Sequence, residues 1–178
     1  ELQDAYKSIY ESLTHAGAAH DCATNLVLVD AEDLGKEGAD KYLRGVAGVL
    51  VPGGFGDRGV EGKIDAARYA RESRTPYLGL CLGMQTATIE FARHVCGLEN
   101  ANSIEFDPET PHPVIWILGD QKDVTRKGAS MRLGTCPTIL GKNTLAHQVY
   151  GRAEILERHR QRYEFNMAYR EIMEKKGF

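Results

Sequence analysis

Residues 76–81 (PYLGLC) form an apolar run, and residues 84–95 place apolar side chains at helical spacing. The five residues between, Gly79-Leu80-Cys81-Leu82-Gly83, must therefore turn a strand sharply into a helix. A turn of this kind holds its central residue in strained backbone, and small neighbours two before and two after relieve the crowding. The cysteine is then displayed at the carboxyl end of a strand. The free N–H groups and positive dipole end of the following helix point at its sulfur and favour thiolate. The Leu82 N–H lies where it could stabilise an oxyanion. A buried strand-end cysteine without chemistry fits the same five residues.

The preceding strand has the same ending. Residues 46–51 (VAGVLV) are apolar without alternation, as in a parallel strand covered on both faces, and they run into Pro52-Gly53-Gly54-Phe55-Gly56. Residues 61–73 then place Ile64, Ala67 and Ala70 at helical spacing. Strand, helix, strand, helix with short links predicts an α/β fold: an open, mostly parallel sheet with helices on both faces. Ligands gather at the carboxyl ends of such strands, where both glycine-rich turns fall. A second oxyanion N–H could come from the first turn.

Around this centre the pattern predicts an amphipathic helix over 2–16 with Gly17 as C-cap, a short strand over 25–30 (NLVLVD), and a helical turn or two over 31–44. Beyond it come a strand over 113–118, a polar excursion over 119–130, a short helix over 143–150, and a last helix capped by Asn166 and stopped by Gly177. A capped final helix would ordinarily lead into another strand, so truncation at the C-terminus is expected. Glu1 in place of an initiator Met fits a fragment or a processed product.

Composition removes several classes of function. At 178 residues with 42% hydrophobic, the chain can bury roughly 70% of its unfolded surface without a staple. The four cysteines, Cys22, Cys81, Cys96 and Cys136, show no metal spacing and fit reduced thiols in the cytoplasm. A net charge of −3 without a basic stripe argues against nucleic acid, and no apolar run approaches the roughly 18 residues of a membrane span. Gly54-Phe-Gly56-Asp-Arg-Gly59 formally matches a dinucleotide fingerprint, but the next strand ends in Leu80-Cys81 rather than a ribose-binding acid. A phosphate loop fails as well, because Gly62-Lys63 is followed by Ile64.

Longer stretches carry a resemblance: LVPGGFG and RGVEGKI (50–56, 58–64), PYLGLCLGMQ (76–85), ANSIEFDPETPHPVI (101–115), MRLG (131–134) and ERHRQRYEFN (157–166). Together they resemble the class I (triad-type) glutamine amidotransferases, and among them the glutaminase domain of the CTP synthase family. The resemblance spans nearly the whole chain. It implies that Cys81 attacks the side-chain amide of L-glutamine to give a thioester and ammonia. Gly54 and Leu82 would supply the oxyanion N–H groups. Leu82, Gly83, Met84 and Gln85 would line the glutamine site, Glu105 would hold the α-ammonium, and Arg162 would help to hold the carboxylate. One acid and one base suit a zwitterionic head.

The family's chemistry continues in an N-terminal synthetase domain, which uses ATP and Mg2+ to aminate UTP to CTP. GTP acts as activator, near the loop containing Phe55 and the excursion before Met131. The resemblance thus makes residues 1–178 an incomplete glutaminase domain, truncated at both ends, with the synthetase domain and the first strand before Glu1. No cofactor or metal is expected in the domain itself. The full-length family is tetrameric chiefly through the synthetase domain, so the 178 residues alone would be monomeric, while unpaired sheet edges would invite association or poor solubility.

This sequence also departs from the family. The general base and its orienting acid belong to a Phe-His-Pro-Glu segment after ERHRQRYE, and none of His15, His20, His94, His112, His147 and His159 lies in such a segment. The base and acid are expected beyond the chain end. Loss of a general base removes roughly 10²–10⁴ in rate, so little or no glutamine turnover is expected of these residues alone. Gln161 replaces a second His, and Gly128-Ala129-Ser130 replaces Gly-Gly-Thr. Two alternatives remain at this point: a cysteine-elbow hydrolase or protease-like protein, and a non-catalytic binding module that retains the elbow.

Overall fold

The structure, a computed structural model, describes residues 3–117 and 132–178. The chain divides into two compact units, Glu1–Ile115 with Phe165–Phe178, and Trp116–Glu164. The expected excursion over 119–130, the Gly128-Ala129-Ser130 departure, and Leu118 and Met131 lie outside the described residues.

In the first unit a 3-10 turn, Gln3–Tyr6, leads into α1 (Lys7–Ala19). Gly17 is not its C-cap. The helix runs on to Ala19, and Gly17 is buried, with the space for its missing Cβ only 2.6 Å from the Cys22 carbonyl oxygen. Its role is to let the returning chain pass close. The expected strand over 25–30 is absent: those residues join no ladder, and Leu26, Val27 and Leu28 are 40%, 62% and 61% exposed. Apolar β-formers make a strand only where an edge receives their N–H and C=O groups, and no described edge does so.

Asp30 then caps α2 (Ala31–Glu37) by accepting the Glu32 N–H at 2.8 Å, and Gly38 separates α2 from α3 (Ala39–Leu43). β1 (Val49–Val51), α4 (Val60–Ser73) and β2 (Tyr77–Gly79) form a β-α-β unit, with β1 and β2 parallel and Val51 opposite Gly79. α4 buries the expected Ile64, Ala67 and Ala70. Leu34, Leu43, Val49, Val51, Ala66 and Ala70 make one core cluster. Gly62 serves the crossing of α2 and α4, since a Cβ there would lie 1.8 Å from the Ala31 carbonyl oxygen. That close approach is a packing role, in keeping with rejection of the phosphate-loop reading.

α5 (Leu82–His94) follows β2 after two residues and packs on β1, β2 and α4. Arg71 of α4 grips the buried carboxylate of Glu90 on α5, with contacts of 2.7–3.2 Å, and His94 lies 3.2 Å from the same carboxylate. β3 (Asn102–Ser103) pairs in parallel with β4 (Pro113–Ile117) through a bulge. Asn166 ties the returning chain to β4, donating from its backbone to Val114 O and from its side chain to Pro113 O, both at 2.9 Å. Asn166 also caps the final segment as expected, a 3-10 turn over Met167–Tyr169 running into α7 (Arg170–Lys175), whose Met173 is buried.

The second unit is built on an antiparallel ribbon of β5 (Arg132–Ile139) and β6 (Glu154–Gln161), paired from Arg132 with Gln161 to Ile139 with Glu154. Between them lies α6 (Leu145–Tyr150), capped by Thr144 and ended by Gly151 in left-handed conformation. β7 (Tyr163–Phe165) leads the chain back to the first unit. The fold is mixed α/β, as expected. The single open sheet is not seen among the described residues, where the parallel strands form short ladders and the longest ladder is antiparallel.

Candidate active site

The parallel register brings the ends of β1 and β2 side by side. The Leu80 N–H donates to Val51 O at 2.9 Å, extending the ladder one residue past β2, and the chain then turns. Cys81 sits at the turn with φ 54° and ψ −106°. This is a sparsely populated region for a residue with a side chain, and it costs about 1–3 kcal/mol that the surroundings must offset. A Cβ on Gly79 would lie 2.5 Å from the Gly83 carbonyl carbon, and one on Gly83 would lie 2.1 Å from Val51 O. Only hydrogen fits at either place, so the two flanking glycines are steric requirements of the turn.

The first turn of α5 is held from three sides. Gly83 N–H donates to Leu80 O at 2.9 Å, and Gln85 N–H donates to Cys81 O at 3.1 Å. The Gly83 carbonyl accepts the Tyr77 hydroxyl at 2.8 Å and the Thr86 hydroxyl at 3.1 Å. Burial pushes the Tyr77 phenol up to about 12. Tyr77 and Thr86 are structural members of the site that sequence reading did not single out. A tyrosine two positions before the first glycine was visible, but the destination of its hydroxyl was not.

The backbone N–H groups of Leu82 and Gly54 lie near enough to the Cys81 sulfur to favour its thiolate. Burial pushes the thiol up, these two donors pull it down, and the Glu105 carboxylate pushes it up again; the net direction is upward. Glu105 reaches this neighbourhood from the turn after β3, where its N–H donates to the buried Ser103 hydroxyl at 3.2 Å. Its carboxylate accepts the Gly56 N–H at 3.1 Å, two residues from Gly54.

Of the residues singled out from sequence, Cys81, Gly54, Leu82, Gly83, Met84, Gln85 and Glu105 all belong to the first unit. Gln85 is buried and Met84 half-buried, while Phe55 stands exposed. Arg162 belongs to the second unit, where its guanidinium lies over the Tyr163 ring at 5.8 Å. Among the described residues no histidine hydrogen-bonds to the Cys81 sulfur. No group of three or more His, Cys, Asp or Glu among them could hold a metal ion, and no helix is long and apolar enough to cross a membrane.

A strained cysteine at a strand-to-helix turn, with the Gly53-Gly54 turn packed beside it and the first turn of α5 beginning at Leu82, is an arrangement suited to acyl transfer through a thioester. Comparison with known proteins agrees with that chemistry: the family model for class-I glutamine amidotransferases matches residues 1–178, and the chain belongs to that family.

Within the family the similarity narrows to CTP synthases. The chain is 61% identical over 177 residues to the CTP synthase of Rubrobacter xylanophilus, covering 99% of this chain and 32% of that protein. It is 57% identical over 178 residues to the CTP synthase of Geobacillus kaustophilus, covering 100% and 34%. The chain thus spans about a third of the length of the curated relatives it matches. Among solved structures, the glutaminase domain of Trypanosoma brucei CTPS with bound acivicin matches with a TM-score of 0.89 and 41% identity. That match covers 99% of this chain and 68% of the other.

Proposed function

We propose that this chain is the glutamine-hydrolysing part of a CTP synthase, with Cys81 as its nucleophile. The observation that carries the reading is the strained Cys81 at a turn shaped by Gly79 and Gly83, with the Gly53-Gly54 turn packed against it. In this reading the thiolate attacks the side-chain amide carbon of L-glutamine. The carbonyl oxygen becomes an oxyanion and takes up the two N–H groups, and collapse breaks the C–N bond as the nitrogen receives the proton given up by the thiol, releasing ammonia and leaving a thioester. Water then hydrolyses the thioester to glutamate.

Glu105 binds the α-ammonium of glutamine, with residues 82–85 lining the side chain. The proton acceptor is the family's His–Glu pair, supplied from outside residues 1–178. The ammonia serves an N-terminal synthetase part of a cytoplasmic, tetrameric enzyme, where ATP and Mg2+ support amination of UTP to CTP and GTP activates. The comparisons do not favour a general cysteine hydrolase or a non-catalytic module, because the relatives are CTP synthases.

Acivicin, an amino-acid electrophile named with the trypanosomal structure, supplies the test. Incubation should add one acivicin-derived adduct at Cys81 by intact-mass and peptide mapping. L-glutamine should suppress it, a simple ester should not, and Cys81→Ser should abolish it. Labelling that falls on Cys22, Cys96 or Cys136, or that glutamine fails to suppress, would overturn the reading.

A further inference from the structure

We propose that the Tyr77 hydroxyl is a positioning group for the nucleophile: by bonding across the turn to the Gly83 carbonyl, it holds Cys81 in its strained, reactive conformation. The inference rests on Cys81 as the proposed nucleophile and goes beyond that reading in naming a residue that acts on it through the backbone.

The bond starts on one side of Cys81 and ends on the other. Tyr77 stands on β2 opposite Val49 and donates at 2.8 Å to the Gly83 carbonyl, which also takes the Thr86 hydroxyl at 3.1 Å. The two bonds differ in what they join. Thr86 belongs to α5, so its bond stays within the helix, whereas that of Tyr77 ties the strand entering the turn to the helix leaving it. Close packing leaves the turn little slack. A Cβ on Gly79 would lie 2.6 Å from the Gly83 carbonyl oxygen, and one on Gly53 would lie 3.3 Å from the Cys81 Cβ.

The turn needs such a tie. Cys81 holds φ 54° and ψ −106°, and as the N-cap of α5 it makes no side-chain cap bond. A serine, threonine, aspartate or asparagine at that position would ordinarily fasten the first turn of the helix. Here a fastening comes from the strand side, through the Gly83 carbonyl. Without it the backbone from Cys81 to Gly83 can relax out of its strained conformation. The free N–H groups and positive dipole end of α5 then no longer stay aimed at the sulfur, and the thiolate loses their support. One hydrogen bond of ordinary strength shifts such an equilibrium roughly threefold to tenfold. The phenol suits the task, since burial pushes it up to about 12 and it stays a donor across the range in which a thiol ionises.

The experiment follows the Cys81 thiol in the 178-residue chain, under conditions where urea unfolding shows each variant to be folded. Iodoacetamide alkylation with peptide mapping gives a second-order rate at Cys81, with the exposed Cys22 as internal reference. Acivicin over a concentration series, followed by intact mass, separates binding from the maximal rate of modification. Tyr77→Phe, which keeps the ring, should lower the iodoacetamide rate at Cys81 and the maximal acivicin rate roughly threefold to tenfold each. Acivicin binding and the Cys22 rate should stay unchanged. Thr86→Val, which deletes the bond within the helix, should lower both rates less than Tyr77→Phe. Met173→Ala, a core substitution on α7 that costs more stability than one hydrogen bond, should change neither rate.

Unchanged or faster alkylation of Cys81 in Tyr77→Phe would overturn the proposal. So would an equal fall in Met173→Ala, which would make the effect one of general loosening. Equal effects of Thr86→Val and Tyr77→Phe would overturn the tie across the cysteine and leave only satisfaction of the Gly83 carbonyl. Weaker acivicin binding at an unchanged maximal rate would assign Tyr77 to the ligand pocket instead. Failure of acivicin to modify Cys81 in the unsubstituted chain would count against the glutamine reading, while the iodoacetamide rates would still decide the role of Tyr77.

Discussion

The cysteine turn and the β5–β6 ribbon reach a defined backbone in opposite ways. At the turn, backbone packs on backbone: Gly79 against Gly83, Gly83 against Val51, with the Tyr77 and Thr86 hydroxyls closing on one carbonyl. In the ribbon an eight-residue ladder sets the shape, and many side chains face outward, with Leu133, Ile139 and Leu156 at 57%, 84% and 68% exposed. A shape fixed by interlocked backbone has no tolerance for an added atom. A shape fixed by ladder hydrogen bonds depends little on which side chains it carries. The contrast separates positions whose residue type is dictated by the fold from positions where it is not.

Adding one methyl group to a glycine in each region gives the largest expected effect. Gly83→Ala drives a Cβ to 2.1 Å from Val51 O, a backbone atom that cannot swing aside. Overpacking of this kind commonly costs 1–3 kcal/mol, and with backbone on both sides about 3 kcal/mol or more is expected. Gly134→Ala in β5 meets nothing within 4 Å, and its only penalty comes from the Gly134 φ of 106°. About 1–2 kcal/mol is expected there. Urea unfolding followed by circular dichroism measures both, and equal losses would remove the distinction between the regions.

Next in size is Tyr77→Phe, which deletes one hydrogen bond to the Gly83 carbonyl while keeping the ring. The carbonyl retains the Thr86 hydroxyl, so about 1 kcal/mol is expected at neutral pH. The pH dependence gives a sharper signature. The folded phenol is pushed up to about 12 from an ordinary value near 10, so between those values the unfolded chain has lost a proton that the folded chain retains. Stability contributed by this group is complete below about pH 10 and falls as pH rises towards 12. Tyr77→Phe should therefore be less stable at neutrality yet lose less on going from pH 9 to 11. Parallel alkaline limbs would show that Tyr77 is not held protonated at the turn.

How far the molecule could be read from its residues follows the same division. The β1–α4–β2–α5 core and the turn were legible because apolar runs, helical spacing and paired glycines are local signals of local constraints. Ile64, Ala67 and Ala70 are buried on the face their spacing assigned. The ribbon was not legible: β6 is Glu-Ile-Leu-Glu-Arg-His-Arg-Gln, whose charges suit a solvated surface and whose strand character comes only from its partner. Residues 25–30 failed in reverse, with strand composition and no described edge to join. At the site, the sequence showed Cys81 and its glycines. It could not show that Glu105 would bond to Gly56 forty-nine residues away, because that contact exists only after folding.

The smallest expected effect tests the permissive half of the comparison. Leu156 lies opposite Pro137 in the ribbon and is 68% exposed, so in the chain as it stands little apolar area is withdrawn from water there. Leu156→Thr keeps a residue type that suits strands and removes apolar surface that faces solvent. A stability change within about 0.5 kcal/mol is expected by the same urea experiment, as for exposed positions generally. A loss above about 1.5 kcal/mol would mean that the leucine is covered in solution, by a second copy or another segment. The ribbon's outward side chains would then be as constrained as the glycines of the turn.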